Sequence, residues 1–221
     1  MTELPVSAFA DETPGEVPVR GTLQRAASDS GDFLVLTHGA SGNANTALLV
    51  ALASRFASAG ISVLRCDLPY RQRRPHGPPS PATAKEDQEG LGRAIAAMKH
   101  QFAGRAFLGG SSYGGRQATL LAASRTGLVD GLLLLSYPLH PPGKPTQLRT
   151  AHFPQLQTPS LFVSGTKDVF GTIAELKAAT DLIPARTELV EIVGAPHGLS
   201  KPGSAQSVSS IVTQRFFDFF R

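Results

Sequence analysis

Residues 107–116 read FLGGSSYGGR. Within them, Gly110-Ser111-Ser112-Tyr113-Gly114 matches the pattern G-x-S-x-G, with Ser112 at its centre. In a chain with 22 glycines the match alone says little; its context makes it informative. The apolar run RAFLGG (105–110) reads as a strand, and RQATLLAASR (116–125) has the composition of a helix. A sharp strand-to-helix turn strains the backbone of the central residue and projects its hydroxyl beyond the strand's carboxyl end. Gly110 and Gly114 then flank a place where two stretches of chain approach too closely for a Cβ. Gly109 and Gly115 allow strand and helix to pack close, and Ser111 lies beneath Ser112 as a structural residue. A phosphate-binding turn at a helix amino end is the competing reading. It calls for G-x-G-x-x-G or a lysine-bearing P-loop after the first strand, and neither is present.

Outward from this turn the chain has a rhythm. Short apolar, β-branched runs at 33–38 (FLVLTH), 61–66, 105–110, 131–137 (GLLLLSY), 160–165 (SLFVSG) and 187–193 (TELVEIV) alternate with segments of helical period. Those segments cover 44–60, 82–103, 114–127, 171–183 and 204–220. Strands that are apolar on nearly every residue belong to a parallel sheet covered on both faces. The helices supply the crossovers. The expected fold is α/β, a doubly wound sheet of about six parallel strands, in a single domain over 16–221. VPVRGTLQRA (17–26) is expected to add one or two antiparallel edge strands, and residues 1–15 to form a flexible tail. In FFDFF (216–220), Phe216, Phe217 and Phe220 are expected to share one core-facing helix side.

Composition bounds the function. A chain of 221 residues, 41% hydrophobic and 17% charged, buries enough surface to fold without disulfides or a structural metal. Its one cysteine, Cys66, excludes an internal disulfide and suits a reducing compartment. The opening MTELPVSAFADE lacks a basic stretch followed by an apolar core, so no signal peptide and a cytoplasmic location are expected. No apolar run is long enough to span a bilayer, so no membrane association is expected. The net charge of +4 is concentrated only in PYRQRRPHGPP (69–79). Without aromatic or helical readers this cluster does not point to nucleic acid. It reads either as a solvated loop or as a basic rim, with Arg71, Arg73 and Arg74 favouring an acidic substrate. No H-E-x-x-H, H-x-H or cysteine pair suggests a metal, and nothing calls for a cofactor.

A serine hydroxyl needs a base beside it and an acid to orient that base. In this architecture such groups gather at the strands' carboxyl ends. SLFVSG runs directly into Thr166-Lys167-Asp168, and TELVEIV into a loop holding His197, the one histidine after Asp168. Ser112, Asp168 and His197 therefore form the expected triad, in the order Ser, Asp, His. Asp67, after the 61–66 strand, is the rival acid; Asp130 precedes a strand and lies at the wrong sheet end. For an oxyanion, one donor is the backbone N–H of Tyr113. The second is expected from His38-Gly39-Ala40-Ser41-Gly42, with Ala40 first and Gly39 as the alternative. His38, Gly39, Tyr137, His140 and Arg71 are the candidate substrate-binding residues.

With THGASG, GGSSYGG, GTKD and PHG in that order, the chain resembles the α/β-hydrolase superfamily, in its compact dienelactone-hydrolase-like form. DLPYR, GGSSYGGRQ, SYPLHPPGKP and GTKDVFG further resemble a bacterial group related to the hydrolase-like domain of a subunit of an animal chromatin complex (NSL). The resemblance spans about residues 15–220. It implies a hydrolase and names no substrate; the leading expectation is a serine hydrolase of the carboxylester-hydrolase kind, acting through an acyl-enzyme on a small or medium ester, thioester or amide, with a monomer or homodimer expected. Dienelactone hydrolases carry cysteine where this chain has Ser112, so that substrate does not transfer. Only residues 138–159 separate GLLLLSY from SLFVSG, so a lipase-type helical lid is expected to be minimal or absent. The animal relatives raise an alternative, a catalytically silent scaffold used for binding.

Overall fold

A computed structural model of the chain describes residues 5–26, 28, 30–200 and 205–221, the side chains of 205–207 excepted. The strands are β1 (Val6–Asp11), β2 (Val19–Gln24), β3 (Phe33–Thr37), β4 (Ser62–Asp67), β5 (Ala106–Ser111), β6 (Gly131–Leu135), β7 (Ser160–Gly165) and β8 (Thr187–Ile192). The helices are α1 (Ala47–Ser58), α2 (Pro69–Arg73), α3 (Ala84–Lys99), α4 (Tyr113–Ser124), α5 (Ile173–Thr180) and α6 (Ala205–Phe220). They build one eight-stranded sheet in the order β1-β2-β4-β3-β5-β6-β7-β8. β3 to β8 are mutually parallel, and β2 joins β4 antiparallel.

Alternation along the central strands explains their unbroken apolar sequence. Phe33 and Val35 of β3 face one core and Leu34 and Leu36 the other, while Leu132 and Leu134 of β6 oppose Leu133 and Leu135. These residues are all fully buried. Burying each leucine contributes roughly 1.5–3 kcal/mol, so the two-faced strand is worth its low solubility. Residues of α3, α4 and α5 pack into the first core; α1 and α6 close the second.

Two local expectations change, and a third, the shared core-facing side of Phe216, Phe217 and Phe220, holds and gains a member. Residues 6–11, read as part of a flexible tail, form β1 and pair with β2 in full register, Val6 opposite Gln24 and Asp11 opposite Val19. The sequence concealed this strand because β1 is an edge strand with a mostly exposed side-chain pattern, so it lacks the apolar run that marks its neighbours. The proline-rich stretch 69–81 contains the short helix α2, with Pro69 in its first turn, where a missing N–H costs nothing. In α6, Phe219 joins Phe216 in full burial while Phe217 and Phe220 are partly buried. Phe219 is covered by the Arg186 guanidinium, 4.0 Å from its ring centre.

Parallel strands align their carboxyl ends on one edge. The loops after β3, β4, β5, β7 and β8 therefore converge there, and between β6 and β7 the chain forms only a 3-10 turn at Phe153–Gln155. No helix among the described residues is long and apolar enough to cross a membrane.

Candidate active site

Ser112 stands between β5 and α4 with φ 49° and ψ −113°. A non-glycine residue rarely takes this conformation, and the surroundings hold it in place. Its N–H donates to Leu135 O of β6 at 2.8 Å. A Cβ on Gly110 would lie 2.5 Å from Gly114 C and Gly115 N, so strand and helix close only around a glycine. Gly114 meets a different neighbour from the one its spacing suggests: its Cβ position is 2.5 Å from His38 O. The turn is thus wedged against the loop after β3.

The loops after β7 and β8 bring the two other polar groups. His197 Nε2 lies 2.8 Å from Ser112 Oγ. His197 Nδ1 lies 2.9 and 2.8 Å from the two carboxylate oxygens of Asp168. The Asp168 side chain is 1% exposed and also accepts the Phe170 N–H at 2.8 Å. These contacts fit one tautomer, with Nδ1–H facing the carboxylate and Nε2 free to accept the serine proton. Phe170 lies against the imidazole, with ring centres 4.1 Å apart. The rival acid is elsewhere: Asp67 Oδ1 accepts the Ala44 N–H at 2.7 Å and lies 3.4 Å from His38 Nε2.

A cavity of about 760 Å³ opens over Ser112 and His197. Gly39, Ala40, Leu48, Leu49, Phe170 and Leu199 are among its walls, and Pro75–Pro78 closes one side. None of its described lining residues is Asp, Glu, Lys or Arg. Of the five candidate substrate-binding residues only Gly39 lines it. Tyr137 is buried with its hydroxyl donating to Arg149 O at 2.6 Å; His140 is buried with Nδ1 2.8 Å from Pro141 O.

Arg71 and His38 are turned into scaffolding, and the reason is visible in the loop they hold. Arg71 is buried and donates to Gly42 O at 2.8 Å, Ala40 O at 2.9 Å and Gly77 O at 3.1 Å. Arg73 is paired with Glu86, and Arg74 donates to Pro78 O. The arginines therefore do not form a basic rim on the cavity. A tight glycine-containing loop leaves its carbonyls without regular partners, and the guanidinium satisfies them. His38 is fully buried, with Nδ1–H donating to Gly39 O at 2.8 Å and Nε2 accepting the Leu68 N–H at 3.1 Å. Burial holds its pKa below the ordinary value, which keeps the ring neutral and this tautomer in place. Tyr70 OH adds hydrogen bonds to Gly39 O at 3.3 Å and Ala40 O at 3.0 Å. In a planar trans peptide the N–H points opposite the C=O. Fixing Gly39 C=O from two sides therefore fixes the direction of the Ala40 N–H.

Tyr113, whose N–H begins α4, is anchored through its side chain. Its hydroxyl donates to Asp87 Oδ2 at 2.7 Å, and the Tyr70 N–H reaches Asp87 Oδ1 at 3.1 Å. Asp87 is fully buried, and desolvation raises its pKa above the usual carboxylate range. Sequence reasoning missed Tyr70, Asp87 and Phe170. Segment 82–103 carries three acids, Glu86, Asp87 and Glu89, and nothing in its pattern singles out Asp87, whose burial and role depend on two distant tyrosines.

The α/β hydrolase domain family matches residues 30–218. The chain belongs to that family. Its fold is shared with a dienelactone hydrolase from Anabaena variabilis, at 21% identity, 99% coverage of each chain and a TM-score of 0.77. An α/β serine hydrolase homologue from Coxiella burnetii is similar at 18% identity, covering 95% of this chain and 96% of that one, with TM-score 0.77. An α/β serine hydrolase without lid from Xanthomonas campestris is similar at 17% identity, over 98% and 96%, with TM-score 0.73.

Proposed function

We propose that this α/β hydrolase is a serine hydrolase that cleaves a small or medium ester, thioester or amide through an acyl-enzyme. The observation that carries the reading is the unbroken hydrogen-bonded line from Ser112 Oγ through His197 to Asp168. Ser112 Oγ attacks the carbonyl carbon while its proton passes to His197 Nε2; Asp168 stabilises the imidazolium. The carbonyl oxygen becomes an oxyanion, received by the N–H groups of Tyr113 and Ala40. Collapse of the adduct expels the leaving group, which takes the proton from His197 Nε2. Water then attacks the acyl-enzyme, its proton going to His197 and returning to Ser112.

The cavity supports an uncharged, largely apolar acyl group. Of the two readings of the basic cluster at 69–79, a solvated loop or a rim favouring an acidic substrate, the rim gains no support, since no arginine is among the cavity's described lining residues. The similar structures, a dienelactone hydrolase and serine hydrolases, agree with the class and leave the substrate open.

The test is labelling by a fluorophosphonate probe. Wild type and Ser111→Ala are expected to label, and Ser112→Ala and His197→Ala are not. A folded wild type that stays unlabelled, and inert toward p-nitrophenyl and thioester panels, assigns the chain to a silent binding role instead.

A further inference from the structure

A second cavity, about 360 Å³, lies between α4 and the segment 148–155. It shares no lining residue with the cavity over Ser112. Arg116 and Arg149 line it together with His152, and no carboxylate is among its described lining residues. This is an unbalanced arrangement. A guanidinium keeps its charge at any working pH, and charges withdrawn from water ordinarily acquire a counter-charge. Here Nε of Arg116 is buried with no hydrogen-bond partner. Arg149 has its own pKa lowered, first by burial and then by the repulsion of Arg116. One of its nitrogens donates to Pro138 O at 3.2 Å. Arg116 also stands in the opening turns of α4, where the helix dipole favours an anion over a cation.

His152 adds no balancing charge. Burial and then Arg116 depress its pKa to about 4, so it is neutral at pH 7, with Nε2 2.8 Å from Thr119 Oγ1. Leu120 and Leu148 supply an apolar wall, and Leu148 is 53% exposed at the cavity's edge. Two forked cations lining one cavity, with no carboxylate among its described lining residues, match a tetrahedral dianion. A phosphate offers oxygens to both guanidiniums, whereas a planar carboxylate fills one fork. The volume suits a small ligand, near the lower end of the range of about 300–1,000 Å³ for small-molecule pockets.

We propose that this cavity binds a small phosphate-bearing molecule, its phosphate between Arg116 and Arg149 and its organic part against Leu120 and Leu148. The inference does not depend on the serine hydrolase reading, since no residue is shared with that site.

Calorimetric titration with phenyl phosphate, inorganic phosphate and benzoate, at ionic strength held constant with sodium chloride, tests it. Phenyl phosphate is expected to bind saturably at one site and more tightly than either of the others. Arg116→Gln and Arg149→Gln should each weaken it at least tenfold, while Ser112→Ala stays within twofold of wild type. The Arg149 variant carries the test alone if the Arg116 variant does not fold. Absence of saturable binding overturns the proposal, as does benzoate binding as tightly as phenyl phosphate. Affinity within twofold of wild type in the folded arginine variants, or lost in Ser112→Ala, overturns it equally.

Discussion

At the scale of single residues, Ser112, the proposed nucleophile, sets stability against chemistry. Its φ of 49° and ψ of −113° cost on the order of 1–3 kcal/mol for a residue with a Cβ. Glycine removes that strain but gains about 0.4–1 kcal/mol of unfolded-state entropy. Ser112→Gly is therefore expected to be about 1 kcal/mol more stable than Ser112→Ala by urea denaturation, although both are inactive. Equal stabilities would show that the turn is relaxed. Asp168 and Asp67 offer a second contrast, because each lies near a histidine but only Asp168 faces His197. Asp168→Asn is expected to lower kcat by about 10⁴, the cost of holding the wrong tautomer. Asp67→Asn, which keeps an acceptor for Ala44, should stay within about tenfold. Steady-state kinetics on a p-nitrophenyl ester decides, and the reverse ranking would move the acid role to Asp67.

Among elements, the loop after β3 and helix α2 form one unit, since Tyr70 and Arg71 hold the carbonyls of Gly39, Ala40 and Gly42. Donors act on an oxyanion only when fixed in direction before the reaction. Arg71→Met should loosen the loop without touching the serine, lowering kcat about 10- to 100-fold with KM little changed. A rise in KM at constant kcat would instead make Arg71 a substrate ligand, as its place in the basic cluster first suggests. The element scale is also where sequence patterning is strongest and weakest. β3 to β7 announce themselves because each is buried on both faces, while the edge strand β8 is buried through Val190 and Ile192 and shows a weaker run. β1 and α2 do not, since an exposed edge strand and a five-residue helix need no apolar pattern to form.

Over the whole molecule, pH acts through histidines that folding keeps neutral. His152 is pushed down to about 4 from an ordinary 6.5, chiefly by burial. As pH falls below 6.5 the unfolded chain takes up the proton first, so stability drops until the folded protein also protonates near pH 4. In phosphate-free buffer, His152→Gln should flatten the fall in Tm between pH 6.5 and pH 4. Part of the slope should remain, because burial lowers the His38 pKa in the same direction. Parallel Tm curves for the two proteins would show that His152 is solvated in the fold.

The triad candidates were legible because chain order and strand ends limit where a nucleophile, an acid and a base can meet. Ser112, Asp168 and His197 each follow a strand that its own apolar run identifies. The pocket was legible only in Gly39 and Ala40 of the loop after β3. Tyr137 and His140 turn into the core, Arg71 becomes a brace, and Phe170 and Pro75–Pro78 form the walls. Periodicity and motif spacing record which strand end a residue occupies, because hydrophobic burial imposes that pattern on the chain itself. Which way a loop side chain turns depends on which distant carbonyl, ring or charge it meets, and those partners come together only in the folded molecule.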